Sequence, residues 1–264
     1  MDIAKKFSRA AAVMALAGMA LIGVNTNAIA AGDAKKPEAQ DWDFTGLTGR
    51  FDIASIQRGL QVYIEVCSSC HSLDQVAYRN LLDLGFNVDE VKAIAEQYEV
   101  TDGPDENGDM FDRSARPSDR FVAPFPNEQA ARASNNGAFP PDLSLTAKAH
   151  PGGPDYIYAI LTGFEDEPPE EDHIEMGEGM SYNPYFAGKQ IAMAQPLFED
   201  SVEYSDGTKA TVEQMSKDVT NFLQWTAEPE MEDRKRIGWK VVLFLLVLSA
   251  LLYAAKRQTW AKLH

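Results

Sequence analysis

Apolar residues recur at helical spacing in several separate stretches of the chain, with long polar intervals between them. Ile53, Ile56, Leu60 and Ile64 fall three or four residues apart, so residues 52–66 predict an amphipathic helix. Residues 87–98 predict a second, with Asn87 as its cap and Glu90 three positions later, the spacing of a capping box. Asn127 opens a short helix that stops near Gly137, and residues 155–162 form another, with Gly163 as its C′ glycine. The clearest late helix covers 211–227. Thr211 and Gln214 form its capping pair, Val212, Met215, Val219, Phe222 and Leu223 its apolar face, and Pro229 its end. The intervals are rich in Pro, Gly, Asn and Asp. No alternating run is long enough for a large sheet, although short strands are expected near 202–204. The pattern predicts a mainly α domain with long loops and no internal repeat.

Two further apolar runs are continuous rather than periodic. Residues 10–24 follow Lys5, Lys6 and Arg9 and lead into Asn27-Ala28-Ile29-Ala30-Ala31. A basic head, an apolar middle and a small-residue exit describe a secretory signal peptide, and a retained anchor is the competing interpretation. The second run, 237–255, is about 19 residues, or roughly 28 Å as helix, enough for the hydrocarbon core of a bilayer. Lys240 can snorkel, and Trp239 and Tyr253 stand near the two boundaries. Arg234-Lys235-Arg236 on one side and Lys256-Arg257 on the other leave the charge rule indecisive for orientation. Export of the N-terminus decides it and places the intervening segment outside. The expected organisation is a cleaved signal (1–30), an exported domain (31–229), a basic juxtamembrane segment (230–236), a transmembrane anchor (237–255) and a cytoplasmic tail (256–264).

Chemistry concentrates in Cys67-Ser68-Ser69-Cys70-His71. Two thiols two residues apart, with an imidazole directly after the second, form the attachment pattern of a c-type haem. The sulfurs would form thioethers to the porphyrin, and His71 would be the proximal ligand. These are the only two cysteines of the chain. A thioredoxin-like dithiol and half of a zinc site are the alternatives. A zinc site would need two more ligands, and His150, His173 and His264 are not paired at finger-like spacing.

An electron-transfer haem usually has a second axial ligand, Met or His. Of nine methionines, Met1, Met14 and Met19 lie in the signal, Met231 lies beside the membrane and Met215 falls on a helix's apolar face. Met110, Met176, Met180 and Met193 remain, with His150 and His173 as rivals; Met193 has the additional merit of preceding the last helix of the domain. The formal charge is −16, which argues against a nucleic-acid partner and suits a basic protein. Acids cluster at Glu165-Asp166-Glu167 and Glu170-Glu171-Asp172, and again at Asp102, Asp105, Glu106, Asp109 and Asp112. Solvated loops and a docking surface are equally compatible with them. Asp105-x-Asn107-Gly108-Asp109 departs from a calcium loop, because its glycine comes too early and no glutamate closes it.

Several segments together resemble the cytochrome c1 family, the haem subunits of ubiquinol–cytochrome c oxidoreductases, in a bacterial form. They are residues 63–72 and 77–81, Pro126-Asn127-Glu128-Gln129 and its continuation to Arg132, residues 135–144, Tyr182-Asn183-Pro184-Tyr185-Phe186, residues 191–197, and the tail 225–236. The resemblance implies a class I cytochrome c-like haem domain with long loop insertions and one C-terminal transmembrane helix. It implies one covalent haem c, with His71 and Met193 as iron ligands, Pro141 lining the haem face and Tyr156 reaching a propionate. Where many relatives have Arg, this chain has His150, so that His150 or Lys148 would take over that propionate contact. Implied partners are cytochrome b, the Rieske iron–sulfur protein as electron donor and a soluble or tethered c-type cytochrome as acceptor, at the bacterial inner membrane with the haem domain on the periplasmic side. The rival functions are a haem subunit of another respiratory complex, a peroxidase-like enzyme with an open sixth site, and an anchored binding module without haem.

Overall fold

The computed structural model describes residues 34–261, so the signal segment lies outside the described residues. Helix α1 (Ile53–Glu65) starts where the periodicity places it, because the Asp52 carboxylate accepts from the Ala54 and Ser55 amides. Helix α2 (Val88–Ala95) carries the reciprocal box: Asn87 accepts from Asp89 and Glu90, and the Asn87 amide donates to Glu90. It stops three residues short of the expected end, and the chain turns into a two-stranded antiparallel hairpin, β1 (Glu99–Asp102) with β2 (Phe111–Ser114). Asn127 caps α3 (Glu128–Ser134). Two short helices follow, α4 (Thr146–Ala149) and α5 (Pro154–Thr162). A second small antiparallel pair, β3 (Ser181–Tyr182) with β4 (Gln190–Ile191), precedes α6 (Val212–Ala227) and α7 (Met231–Trp260). A 3-10 stretch at Tyr78–Leu84 carries no periodic signal that would have announced it.

Three sequence expectations need correction. Gly163 has φ −100°, so it does not occupy the left-handed C′ position. Its missing side chain matters for another reason: a Cβ there would lie 2.5 Å from Cδ2 of Tyr185. Residues 202–204 form no strand. Val202 and Tyr204 are both buried, so their alternation records a loop pressed onto the core rather than a paired edge. The Thr211–Gln214 pair is only half of a box. Thr211 accepts the Gln214 amide, but the Gln214 side chain turns down the helix to Asp218.

The core forms where α1 crosses α6. Ile56, Leu60 and Tyr63 pack with Met215, Val219, Phe222 and Trp225, and Leu73, Tyr78, Leu81 and Leu197 close the cluster. Gly59 marks the closest approach of the two helices, since a Cβ on it would fall 2.1 Å from the Asp218 carbonyl oxygen. Helix α7 is different. Its 30 residues span about 45 Å, and from Val241 to Val247 its large apolar side chains are exposed. A core helix would bury such residues. This is the one helix among the described residues long and apolar enough to cross a membrane. Residues 231–236 of the basic segment form its first turns, because only Glu228, Pro229 and Glu230 separate α6 from α7.

Candidate haem site

The attachment motif sits at the C-terminus of α1, where backbone carbonyls lack helical partners. The two spacer serines take up that role. Ser68 Oγ donates to the Ile64 carbonyl at 2.7 Å and Ser69 Oγ to the Val66 carbonyl at 2.9 Å. The chain then tightens into a 3-10 turn, Cys67–Ser69, in which the amides of Cys70 and His71 both reach the Cys67 carbonyl, at 3.1 and 2.9 Å. One turn therefore presents both thiols and the imidazole together, all partly exposed.

The imidazole is aimed and set in one tautomer. His71 Nδ1 lies 2.8 Å from the Pro141 carbonyl oxygen. A carbonyl only accepts, so Nδ1 carries the proton and Nε2 keeps its lone pair. Burial lowers the His71 pKa, opposed by the Pro141 hydrogen bond and by the charge of Asp142, so the ring favours the neutral, ligating form. Tyr63, buried on α1, donates its hydroxyl to the His71 carbonyl at 2.9 Å and fixes the backbone behind the ring.

Pro141 belongs to a strap that is bonded along its length to the residues following the motif. Asp142 Oδ2 accepts from Ser72 Oγ at 3.0 Å and from the Asp74 amide at 2.6 Å, and Asp142 Oδ1 accepts from the Ser144 amide. The Leu143 amide donates to the Ser72 carbonyl, the Gln75 amide to Ser144 Oγ, and Thr226 of α6 donates to the Ser144 carbonyl. Asp142, Ser144 and Tyr63 are the supporting residues that sequence reasoning did not assign. Nothing in residue spacing marks them, because their partners lie up to 82 positions away. Pro141 itself is exposed, and its backbone carbonyl is what meets the His71 ring.

The remaining expected site residues lie apart from this turn. Met193 is half-buried on the loop leaving β4, between the β3–β4 pair and the fully buried Leu197. Tyr156 is half-buried on α5 and stacks on His150, with centroids 4.6 Å apart and planes at 25°. Burial raises the Tyr156 pKa. Among the described residues, no hydrogen bond joins Met193 or Tyr156 to the motif. Lys148 pairs with Glu228 at 3.0 Å, and His150 is the ring neighbour of Tyr156. Core packing removes two methionines from contention. Met215 is wholly buried and receives a hydrogen bond from Ser201, and Met231 is buried against Trp42 and Phe44. Met110 is exposed on the hairpin.

The donor set fits a covalent haem better than its alternatives. Among the described residues, no group of three or more His, Cys, Asp or Glu side chains could hold a metal ion such as zinc. Burial pushes the Cys67 thiol up to about 12, with the neighbouring Cys70 adding to it, whereas a redox dithiol depends on a depressed thiol. Two unpaired thiols, a free imidazole nitrogen and exposed Phe139 and Leu145 flanking the strap match the sulfurs, iron and apolar face of a porphyrin.

Comparison with known proteins agrees. The cytochrome C1 family matches residues 42–263. The cytochrome c1 of Rhodospirillum rubrum is 48% identical over 84% of this chain and 86% of its own length. A mitochondrial protein of Saccharomyces cerevisiae, described as cytochrome c1, heme protein, is 52% identical over 84% of this chain and 72% of its own. A cytochrome b/c1 of Bradyrhizobium diazoefficiens is 46% identical over 98% of this chain, which spans 41% of that longer protein.

Proposed function

The chain belongs to the cytochrome c1 family, a family of haem c proteins, and from that premise we propose that it is the electron-transfer subunit of a quinol–cytochrome c oxidoreductase. Cys67 and Cys70 would hold one haem c as thioethers, and His71 Nε2 and the Met193 thioether would ligate its iron. The observation that carries this assignment is the Nδ1 hydrogen bond to Pro141, which leaves one imidazole nitrogen free beside two thiols in a single turn. Tyr156, with His150 or Lys148, would contact a propionate.

When bound, the haem supplies a reversible one-electron iron couple, whose potential Met/His ligation raises. The protein contributes no acid, base or nucleophile to that exchange. Its residues fix geometry: Tyr63, Pro141 and Asp142 hold the proximal imidazole still, so that little rearranges when the iron charge changes. The electron comes from a Rieske iron–sulfur protein and leaves to a soluble or tethered c-type cytochrome. Cytochrome b is the membrane partner, a role supported by the relative described as cytochrome b/c1. Residues 1–30 are a cleaved export signal, 31–229 the periplasmic haem domain, 237–255 the single membrane pass and 256–264 the cytoplasmic tail. The immediate test is a haem stain on a denaturing gel of the exported protein. Wild type is expected to keep its pigment through denaturation and acidified acetone, and pigment that extracts would refute the attachment.

The acids offer a second check. Glu165, Asp166, Glu167, Glu170, Glu175 and Glu178 are exposed, while Asp172 is pinned by Lys189 and Tyr182. Hydrogen bonds from Lys189 and then Tyr182 lower the Asp172 pKa, so this anchor stays charged at neutral pH. A basic acceptor would be steered by this loop. Its bimolecular reduction rate is then expected to fall as ionic strength rises past the range where the screening length is about 10 Å. A rate insensitive to salt would remove the loop from the docking surface.

A further inference from the structure

Helix α7 leaves α6 after three residues, and a basic juxtamembrane cluster at such a place ordinarily faces lipid headgroups or water. Here its first turns are one-sided. Met231 is buried and Glu232 and Lys235 are half-buried, on the same face by their spacing, while Asp233, Arg234, Arg236 and Ile237 are exposed. The buried face is covered by the N-terminal segment. Met231 packs on Trp42 and Phe44, with Phe51 beside them. Glu232 Oε1 accepts from the Phe51 amide at 2.8 Å. Lys235 Nζ donates to the carbonyls of Phe44 at 2.6 Å and Gly49 at 3.1 Å. The other two basic residues are spent on carboxylates, Arg234 on Glu228 and Arg236 on Asp233.

The gripped loop is built to hold one shape. The Thr45 amide and hydroxyl both return to the Trp42 carbonyl, and the Arg50 amide returns to Asp43. Gly46 has φ +72°, and at Gly49 a Cβ would lie 1.9 Å from the Thr45 carbonyl oxygen, so no side chain fits there. On its other side the segment is fastened to α5. The Trp42 indole N–H donates to Asp155 Oδ1 at 2.6 Å, and the Gln40 amide donates to the same oxygen at 3.0 Å. Asp155 is the residue before Tyr156. A continuous set of contacts therefore runs from the helix carrying Tyr156, through residues 40–51, to the top of the anchor helix.

We propose that Lys235 is a positioning residue: by locking the loop at 44–49 onto α7 it makes haem domain and anchor one rigid unit, and so sets the height and tilt of the haem face over the membrane. This rests on the proposed haem attachment and membrane anchoring. A three-residue connection alone would leave the domain free to rock. Because electron transfer slows steeply with distance, rocking would spread the donor and acceptor distances that a fixed neck holds constant. The two carbonyls are neutral acceptors for a charged donor, the stronger class of hydrogen bond, and the site is only partly open to water.

The test uses the full haem-loaded chain in lipid nanodiscs. With Cys67 and Cys70 consumed by haem, cysteines introduced at exposed Lys92 on α2 and Val242 on α7 are the only thiols available for spin labels. The interlabel distance distribution, read in the reduced state, is expected to be a single narrow peak. Lys235→Met is expected to broaden it at least twofold, and Lys235→Arg, which can still donate to both carbonyls, to restore it. If Lys235→Met does not accumulate, Glu232→Ala removes the neighbouring tie and is expected to broaden the peak in the same sense. A broad wild-type distribution, or Lys235→Met and Glu232→Ala peaks as narrow as wild type, overturns the proposal. A missing Soret band would refute the haem assignment by itself; the distance is then read in a Cys67→Ser/Cys70→Ser background, where a narrow distribution leaves the neck standing.

Discussion

Met193→Leu is expected to lower the midpoint potential of the haem by a few tenths of a volt, within the roughly 0.8 V over which axial ligation tunes haem proteins. Leucine keeps the volume and apolar character of methionine at this half-buried position but has no lone pair. The loop itself should survive. It is anchored on one side by β3–β4 pairing and on the other by Leu197, whose carbonyl accepts from the Gln195 side chain. The variant therefore separates ligation from folding: the melting temperature should move little while potential and spectrum change together. A vacated axial position also admits small ligands, so the reduced variant should shift its Soret band under carbon monoxide and the wild type should not. An unchanged potential in Met193→Leu would assign the ligand elsewhere. Met176 and Met180 are then the half-buried candidates, since Met215 and Met231 are sealed in the core.

What the sequence made legible follows from the range of the interactions involved. Local signals survived well. Asp52, Asn87, Asn127 and Thr211 each cap the helix they were expected to open, because capping involves atoms two or three residues apart. Cys67, Cys70 and His71 share one tight turn, as a motif of five consecutive residues requires. The support behind that motif was not legible. Tyr63 on the His71 carbonyl and Pro141 on Nδ1 are contacts of 8 and 70 residues' separation, and any loop proline could have supplied such a carbonyl. The resemblance placed Pro141 at the haem face, and nothing in residue spacing announced that its carbonyl oxygen would meet His71 Nδ1. Loops misled where burial imitated strand alternation, as at Val202 and Tyr204. The basic residues 234–236 read only as a juxtamembrane flank, since composition does not reveal that Lys235 points at Phe44 and Gly49.

Asp218→Ala is expected to destabilise the domain by about 3–5 kcal/mol, the cost of removing one partner from a buried ion pair. Asp218 is completely buried on α6. Arg58 of α1 grips it bidentately, with Nε on Oδ2 at 2.9 Å and Nη2 on Oδ1 at 3.0 Å. Ser55 Oγ donates to the same carboxylate at 2.6 Å, Gln214 donates at 3.0 Å, and Asn221 donates to Ser55. Hydrogen bonding to Asp218 raises the Arg58 pKa against the opposing effect of burial, so the guanidinium stays charged and is stranded when the carboxylate goes. Asp206 at 2.9 Å is its remaining partner, but that carboxylate is largely in solvent and screened. Arg58→Met combined with Asp218→Ala should therefore recover part of the loss, because no unpaired charge remains. Gly59→Ala tests the same junction sterically. Alanine in a helix interior gains about 1 kcal/mol over glycine. Here its methyl would meet the Asp218 carbonyl oxygen at 2.1 Å, a backbone atom that moves only if α1 and α6 separate, so the overpacking cost of about 1–3 kcal/mol or more prevails. Since α1 ends in the Cys67 turn, both variants should also perturb the haem's near-ultraviolet and Soret circular dichroism before global unfolding. Urea midpoints on the solubilised haem-loaded protein measure the loss, and an Asp218→Ala cost under about 1 kcal/mol would show that this fork is not what holds the two helices together.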